Sequence, residues 1–416
     1  MAQKSIRTRK KKSVTSRRTT DPNAAGINLG ATVHYAAVPE DRDPEHPVRH
    51  FGTLTEDLEA LADWLKACAI TTVAMEATGV YWIPLFQILE DRGFVVCLVN
   101  ARHVKNVPGR KSDVQDCQWL QYLHSVGLLN ASFRPPAAIC AVRSLMRHRE
   151  SLMRTACQHL LRVQKALDQM NVQLHHAVTD ITGVTGLTIL EAIAAGERDP
   201  KVLAAHRDYR CKKSEAQIAK ALKGDWREEH LFTLRQSLEA WHFHQKLMAD
   251  CDEQIAEHMG ALDDQDAGPP PPSNKKGNKA PDDPMPQHLF AKFGVDLTAV
   301  EGVSIQTVLA FLSEVGTDVG KFATAEHFGS WLGLCPDNRI TGGRTLAAHT
   351  RKVSTRKVSN RLATALRMAA QSFHRSKSSL GDWFRRIRAK LGTKAAVTSA
   401  AHKLARILYA MIKHRT

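Results

Sequence analysis

Thr71-Thr-Val-Ala-Met-Glu76 and Phe94-Val-Val-Cys-Leu-Val-Asn100 are short apolar runs on either side of a helical stretch, Val80–Asp91. Bounded runs of this length, rich in Val, read as buried strands. Upstream, Gly26–Val38 (GINLGATVHYAAV) reads as a strand and Pro39–Pro47 as a charged turn, with Val48–Leu54 as a further strand. Glu56–Cys68 places Leu58, Leu61, Leu65 and Cys68 on one helical face, and Ser112 caps a helix running to Leu128. Strands and helices alternate over 26–130, which predicts an α/β domain built on a mixed sheet.

Beyond it the strand signals fade. Ala137–Val178 and Lys212–Met259 carry helical spacing with polar outer faces. They predict an antiparallel pair or a dimerising coiled coil across 131–261. Residues 262–286 are rich in Pro, Gly and polar residues and read as a linker, followed by a mostly helical segment, 287–416. Residues 1–25 read as a basic tail, with eight Lys/Arg and no acid in the first 20.

The chain of 416 residues has a formal net charge of +16, and only 6% of it is aromatic. A chain that basic meets a polyanion, and few aromatics favour a backbone-gripping protein over a base-stacking one. The eight Cys are scattered singly, without zinc spacing, and read as reduced thiols of a cytoplasmic protein. No apolar run is long enough to cross a membrane.

Four positions carry the sharpest chemistry. Asn28 lies in the first strand, and Glu76 ends a buried one. Asp113 and Asp116 open a helix three residues apart, so they point the same way. Sites in α/β sheets gather where strands end and helices begin. Hard oxygen ligands converging there suit Mg2+ or Mn2+, and two such ions about 4 Å apart serve phosphoryl transfer. The loop before the two Asp carries Arg102, Lys105, Arg110 and Lys111, suited to phosphates. Singly, each acid has a plain structural reading, such as complementing a helix dipole.

Gly183-Val184 with Thr188 and Leu190 is echoed at the same offsets by Gly302-Val303 with Thr307 and Leu309. Each looks like half of a helix-hairpin-helix. The first is read as an ordinary junction and Gly302 as a DNA contact. Thr350-Arg-Lys-Val-Ser354 is repeated at once as 355–359, harmless only in a loop because five residues rotate a helix by roughly 140°. Arg385, Arg386, Arg388 and Lys390 follow Trp383 and Phe384, in a stretch (382–416) with nine Lys/Arg and one acid, which predicts phosphate contact.

The blocks VAMEATGVYW, VKNVPGRKSDVQD, VEGVSIQTVLAFLSEVGTD and FGSWLGLCPDNRITGGR resemble those of the DEDD transposases of insertion-sequence family one-ten, relatives of the Piv DNA invertases. The resemblance spans nearly all of 26–416 apart from the linker. It implies a RuvC-like, RNase H-fold domain at 26–130 and a second transposase domain at 287–416. Glu76, Asp113 and Asp116 match the second, third and fourth acids of the tetrad, and Asn28 stands where the first Asp is expected. The family's Ser nucleophile, just before a Gly-Gly pair, falls on Thr341, with Gly342, Gly343 and Arg344 beside it to meet a phosphate. The resemblance further implies double-stranded DNA as substrate, a homo-oligomer and a structured guide RNA. An amide supplies no negative charge, so Asn28 weakens metal affinity, and the Thr341 methyl crowds an in-line attack. Three readings stay open: an active recombinase, a catalytically silent nucleic-acid-binding derivative, and a junction-resolving nuclease that needs no C-terminal nucleophile.

Overall fold

In the computed structural model, the described residues are 19–77, 79–100, 112–265, 268, 285–335, 337–341, 344–349 and 360–416, with the hairpin 337–349 described by its backbone. The chain forms two compact units, divided between Arg134 and Pro135.

The first unit is a mixed five-stranded sheet of order β3-β2-β1-β4-β5. Its strands are β1 (Ala24–Leu29), β2 (His34–Ala37), β3 (Val48–Phe51), β4 (Thr72–Glu76) and β5 (Val95–Val99). β1 runs antiparallel to β2 and parallel to β4, and β4 is parallel to β5. Gly26–Val38, expected as one strand, is therefore a hairpin, closed where the Gly30 amide donates to the Val33 carbonyl oxygen at 3.1 Å. The strand also starts two residues earlier than expected, at Ala24.

Among the described residues, three helices cover the sheet: α1 (Thr55–Ala67), α2 (Trp82–Asp91) and α3 (Asp113–Ser125). Side chains alternate across a strand, and here they sort cleanly. Ala25, Ile27, Leu29, Val73 and Met75 share a core with Leu58, Leu61 and Leu65 of α1 and with Leu85 and Leu89 of α2. Ala74, Cys97 and Val99 instead pack on Leu120 of α3, with Trp119 and Leu123 around them. Thus α1 and α2 cover one face and α3 the other.

Among its described residues, the second unit is helical apart from one hairpin. The helices α4 (Ala137–Gln169) and α9 (Glu228–Gly260) are 33 residues each. They run antiparallel, because Arg149 meets Asp252 near one end while the His159 and His244 rings lie 5.2 Å apart farther along. Between them come the short α5 (Leu174–Ala177), α6 (Val184–Ala195), α7 (Pro200–Ala205) and α8 (Glu215–Ala221). The expected single helix from Lys212 to Met259 is thus two helices. The chain turns at Gly224, where a side chain would collide with the Met170 carbonyl oxygen. Leu167, Met170, Ile189, Leu190, Leu203, Ile218 and Leu234 form the core here.

The C-terminal helices are α10 (Met285–Phe293), α11 (Ile305–Val315), α12 (Ala325–Trp331), α13 (Arg361–Ala370), α14 (Ser379–Leu391) and α15 (Thr393–His414). Phe293, Phe311, Phe328, Phe373 and Phe384 are buried among them. Described structure reaches into both ends of the stretch 262–286. Lys292 pairs with Asp264 at 2.7 Å, the Gln265 amide donates to the Ala291 carbonyl oxygen, and α10 already begins at Met285. The long α4 is clasped to α11. Arg143 donates to the Ser313 and Glu314 carbonyl oxygens, each at 2.9 Å, and Arg147 donates to the buried Glu314 carboxylate at 2.9 and 3.1 Å. A hairpin of β6 (Asp337–Thr341) and β7 (Arg344–His349) interrupts the helices. The residue pattern of 287–416 predicts a mostly helical segment and marks no strand there.

Candidate active site

Ser112 caps α3 as expected, its hydroxyl accepting from the Gln115 amide at 3.3 Å. On that helix Cys117 and Leu120 are buried against the sheet. Gln121 donates to the Ala24 carbonyl oxygen at 3.2 Å, and His124 meets the Thr72 hydroxyl at 2.8 Å. Thr72 Oγ1 gives its own proton to the Val95 carbonyl oxygen, so His124 Nε2 is the donor in that pair. Positions 117, 120, 121 and 124 form one helical stripe, and 113 and 116 extend it by another turn. The two Asp therefore continue the sheet-facing stripe toward the end of the strands.

Gly26 sets how close that stripe comes. A side chain on Gly26 would fall on the Gln121 amide nitrogen and the Cys117 carbonyl oxygen. Only a residue without Cβ lets α3 cross β1 at this distance. Two residues on, Asn28 points to the same face, and its Nδ2 donates to Asp113 Oδ1 at 3.0 Å. Glu76 follows by register. In the parallel pair, Ile27 lies beside Met75, so Asn28 and Glu76 extend the same row on adjacent strands. Glu76 is aligned with Val99 and two residues past Ala74, both of which pack on the α3 side. Asn28, Glu76, Asp113 and Asp116 thus stand on one face, at the carboxyl ends of two parallel strands and the first turn of a helix.

Burial pushes the Cys117 thiol up to about 12, with Asp116 and Asp113 adding to the effect. The cysteine beside the acids is therefore a neutral packing group. Among the described residues, no group of three His, Cys, Asp or Glu is gathered closely enough to hold a metal ion. The donors fit a hard cation in kind, being three carboxylates and an amide. Asp113, however, is engaged by the amide nitrogen of Asn28 rather than its oxygen.

Two stretches of the chain match known protein families. Residues 25–172 match the family model of the IS110 DEDD transposases, described as a transposase. Residues 296–383 match that of the transposase IS116/IS110/IS902 family. The first covers the sheet with its acidic corner, and the second covers α11, α12 and α13 whole and the start of α14. The chain belongs to the IS110 family of insertion-sequence transposases. No curated protein matches it.

In the second unit of this transposase, Thr341 ends β6 and pairs with Arg344 of β7, so Gly342 and Gly343 alone separate the paired ends. Those two glycines lie outside the described residues, as do Arg102, Lys105, Arg110, Lys111 and the tandem copy at 350–359.

Gly302 has a packing role. Its φ is +80°, and a side chain there would meet Ser372 Oγ at 2.6 Å and the Ala369 carbonyl oxygen at 2.9 Å. The neighbouring Glu301 carboxylate accepts hydrogen bonds from Ser376 and Ser378. The echo with Gly183 is not a structural repeat. Gly183 is itself the N-cap of α6 with φ −71°, whereas α11 is capped by Ser304, two residues after Gly302.

Much of the C-terminal charge also has intrachain partners. Arg385 donates to the Ser376 carbonyl oxygen and pairs with Asp382, while Arg388 meets His374 at 3.0 Å. Lys403 lies over the Trp383 ring, and Arg406 pairs with Glu326. Arg386 is exposed. Among the described residues, no helix is long and apolar enough to cross a membrane.

The sequence reading missed Gly26, although a glycine two residues before Asn28 on the same strand face was its available signal. It also missed the Arg143–Arg147–Glu314 clasp, whose partners are far apart in the chain.

Proposed function

We propose that this transposase cuts and rejoins double-stranded DNA, with the corner of Asn28, Glu76, Asp113 and Asp116 as its metal site and Thr341 as its hydroxyl nucleophile. The observation that carries the reading is the Asn28–Asp113 contact. It ties the residue at the first tetrad position to the third acid, on the sheet face where Glu76 also stands. Asp113 and Asp116 sit in the first turn of α3, where acids also favour the helix dipole. A purely structural role would not require Gly26 to bring them over the strand ends.

Glu76, Asp113 and Asp116 would hold Mg2+ or Mn2+, with Asn28 lending its amide oxygen after turning from Asp113. Bound there, the cation stabilises charge on the attacking and leaving oxygens of a phosphate. The chain's own steps are simple in outline. The Thr341 oxygen forms a bond to phosphorus as a strand P–O bond breaks. The Thr341 hydroxyl loses its proton, and the departing sugar oxygen gains one. Reversal on a new strand end rejoins the DNA. Gly342, Gly343 and Arg344 flank the nucleophile and meet the phosphate. Arg102, Lys105, Arg110, Lys111, Gly302, Arg385, Arg386 and Arg388 are assigned to nucleic-acid contact, Arg386 best supported because it is exposed while Arg385 and Arg388 are engaged within the chain.

The proposal extends to a homo-oligomer, a structured guide RNA and a cytoplasmic setting. A net charge of +16 supports nucleic-acid partners in general. The contact that supports the reading also favours a second one, a catalytically silent DNA binder, because the Asn28 amide satisfies Asp113 without a cation.

A strand-transfer assay with Mg2+ separates the readings. A covalent protein–DNA adduct at Thr341, absent in Thr341→Ala, supports the recombinase. Tight binding without cleavage, unchanged after Asn28→Asp with Thr341→Ser, supports the silent binder. Cleavage surviving Thr341→Ala points to a nuclease instead.

A further inference from the structure

Tyr209 is 84% exposed, yet it sits on a tightly built turn. The Cys211 amide closes the turn onto the Asp208 carbonyl oxygen at 2.9 Å. Asp208 is anchored twice, its amide donating to Thr185 Oγ1 at 2.9 Å and its carboxylate accepting from the Arg210 amide and Nε at 2.9 Å each. Arg207 closes the base of the loop by donating to the Lys213 and Cys211 carbonyl oxygens, each at 2.6 Å. Cys211 packs on the core of this part of the unit. The ring is therefore held out by a fixed scaffold. A tyrosine gains nothing from such exposure, and a flat, preorganised ring loses little entropy on meeting a partner.

The surroundings say what the partner is. Within 201–213 stand Lys201, Arg207, Arg210, Lys212 and Lys213 against one acid, Asp208. That acid is already paired with Arg210. Lys201, Arg210, Lys212 and Lys213 are exposed, and the Arg210 guanidinium lies 5.6 Å from the Tyr209 ring centroid. Val184, 60% exposed, adjoins the Thr185 that anchors the turn. An apolar partner would not be met by four cations, and a duplex offers phosphates but keeps its base faces stacked. An aromatic ring among cations suits a strand whose bases are unstacked, the ring taking a base face and the lysines the flanking phosphates.

We propose that the Tyr209 turn is a binding site for single-stranded nucleic acid, holding one unpaired base on the tyrosine ring. The site belongs to the second unit and the acidic corner to the first, and the proposal does not depend on that corner being catalytic.

The test uses the full chain and one sequence presented three ways: as single-stranded DNA, as single-stranded RNA, and as a blunt DNA duplex, with 5-iodouracil in place of one pyrimidine. Irradiation of either single strand is expected to give an adduct mapping to the 208–213 peptide at Tyr209, and the duplex to give none there. Tyr209→Ala should weaken binding of the favoured single strand about tenfold, and Tyr209→Phe should preserve it. Duplex affinity should not change in either variant. So exposed a ring makes little packing, so both variants should fold, and matching thermal melts would verify this. Adducts only at other residues, or equal single-strand affinity in Tyr209→Ala, would overturn the proposal. So would a change in oligomeric state with binding unaltered, which would make the turn a protein contact.

Discussion

Asn28 Nδ2 donates a hydrogen bond to Asp113 Oδ1 at 3.0 Å, linking the central strand of the sheet to the first turn of α3. The contact neutralises nothing, but it gives Asp113 a neutral neighbour at a position that the proposed metal site would fill with a further carboxylate. Asn28→Asp would set two carboxylates side by side, which is unfavourable unless a cation lies between them. The expected result is a lower melting temperature in chelator and a larger Mg2+-induced rise than in the wild type, read by differential scanning fluorimetry. Equal Mg2+ responses in the two proteins would mean that the corner does not take the ion.

Gly26 is the second residue that this geometry depends on. In Gly26→Ala the new methyl meets backbone atoms of Cys117 and Gln121, which cannot move aside as a side-chain tip would. A cost of about 3 kcal/mol follows from overpacking, with α3 displaced from β1. A urea titration should show a lower midpoint at an unchanged slope. A midpoint like the wild type's would show that α3 is not pressed onto the strand.

Acid should weaken the first unit. Burial holds both His34 and His124 below their ordinary value of 6.5, the nearby Asp21 partly opposing this at His124. Below pH 6.5 the unfolded chain therefore binds more protons than the folded one. Stability present above 6.5 is lost as pH falls from there toward the lowered folded values, and the loss stops below them. Urea midpoints between pH 7.5 and 5.5 should fall, and His124→Gln should flatten part of that slope. A slope unchanged by the substitution would assign the acid sensitivity elsewhere.

The sheet was legible where helices cover both of its faces and the strands had to be apolar runs. Val73, Met75 and Leu98 announced β4 and β5, and the Leu58–Leu61–Leu65 stripe announced α1. What the sequence marked locally was the strand end at Glu76 and the helix start at the cap Ser112, which put Glu76, Asp113 and Asp116 at those element ends. Other features rest on distant partners. The break at Gly224 reflects the Met170 carbonyl oxygen, and the packing of Gly302 reflects Ser372 and Ala369. Local periodicity carries no trace of either. The β6–β7 hairpin hid because its polar strand Asp337–Thr341 shows no apolar alternation.

Glu314 is 6% exposed and shared by two arginines of α4. Arg147→Ala leaves the buried Glu314 carboxylate with Arg143 alone, at a cost of about 2 kcal/mol, and Glu314→Ala leaves two partly hydrated arginines, at a similar cost. The double variant should cost less than the sum. A double-mutant cycle by chemical denaturation should return a coupling of about 1 kcal/mol or more. Strict additivity would mean that the pair does not join α4 to α11.

The most direct measurement is the initial rate of Mg2+-dependent cleavage of a DNA strand by Asn28→Asp, with and without Asp113→Asn in the same chain. Restoring the fourth carboxylate should raise the rate at low Mg2+, and removing the third should abolish it while DNA affinity holds. Full cleavage by the chain lacking the Asp113 charge would contradict the assignment of chemistry to this corner.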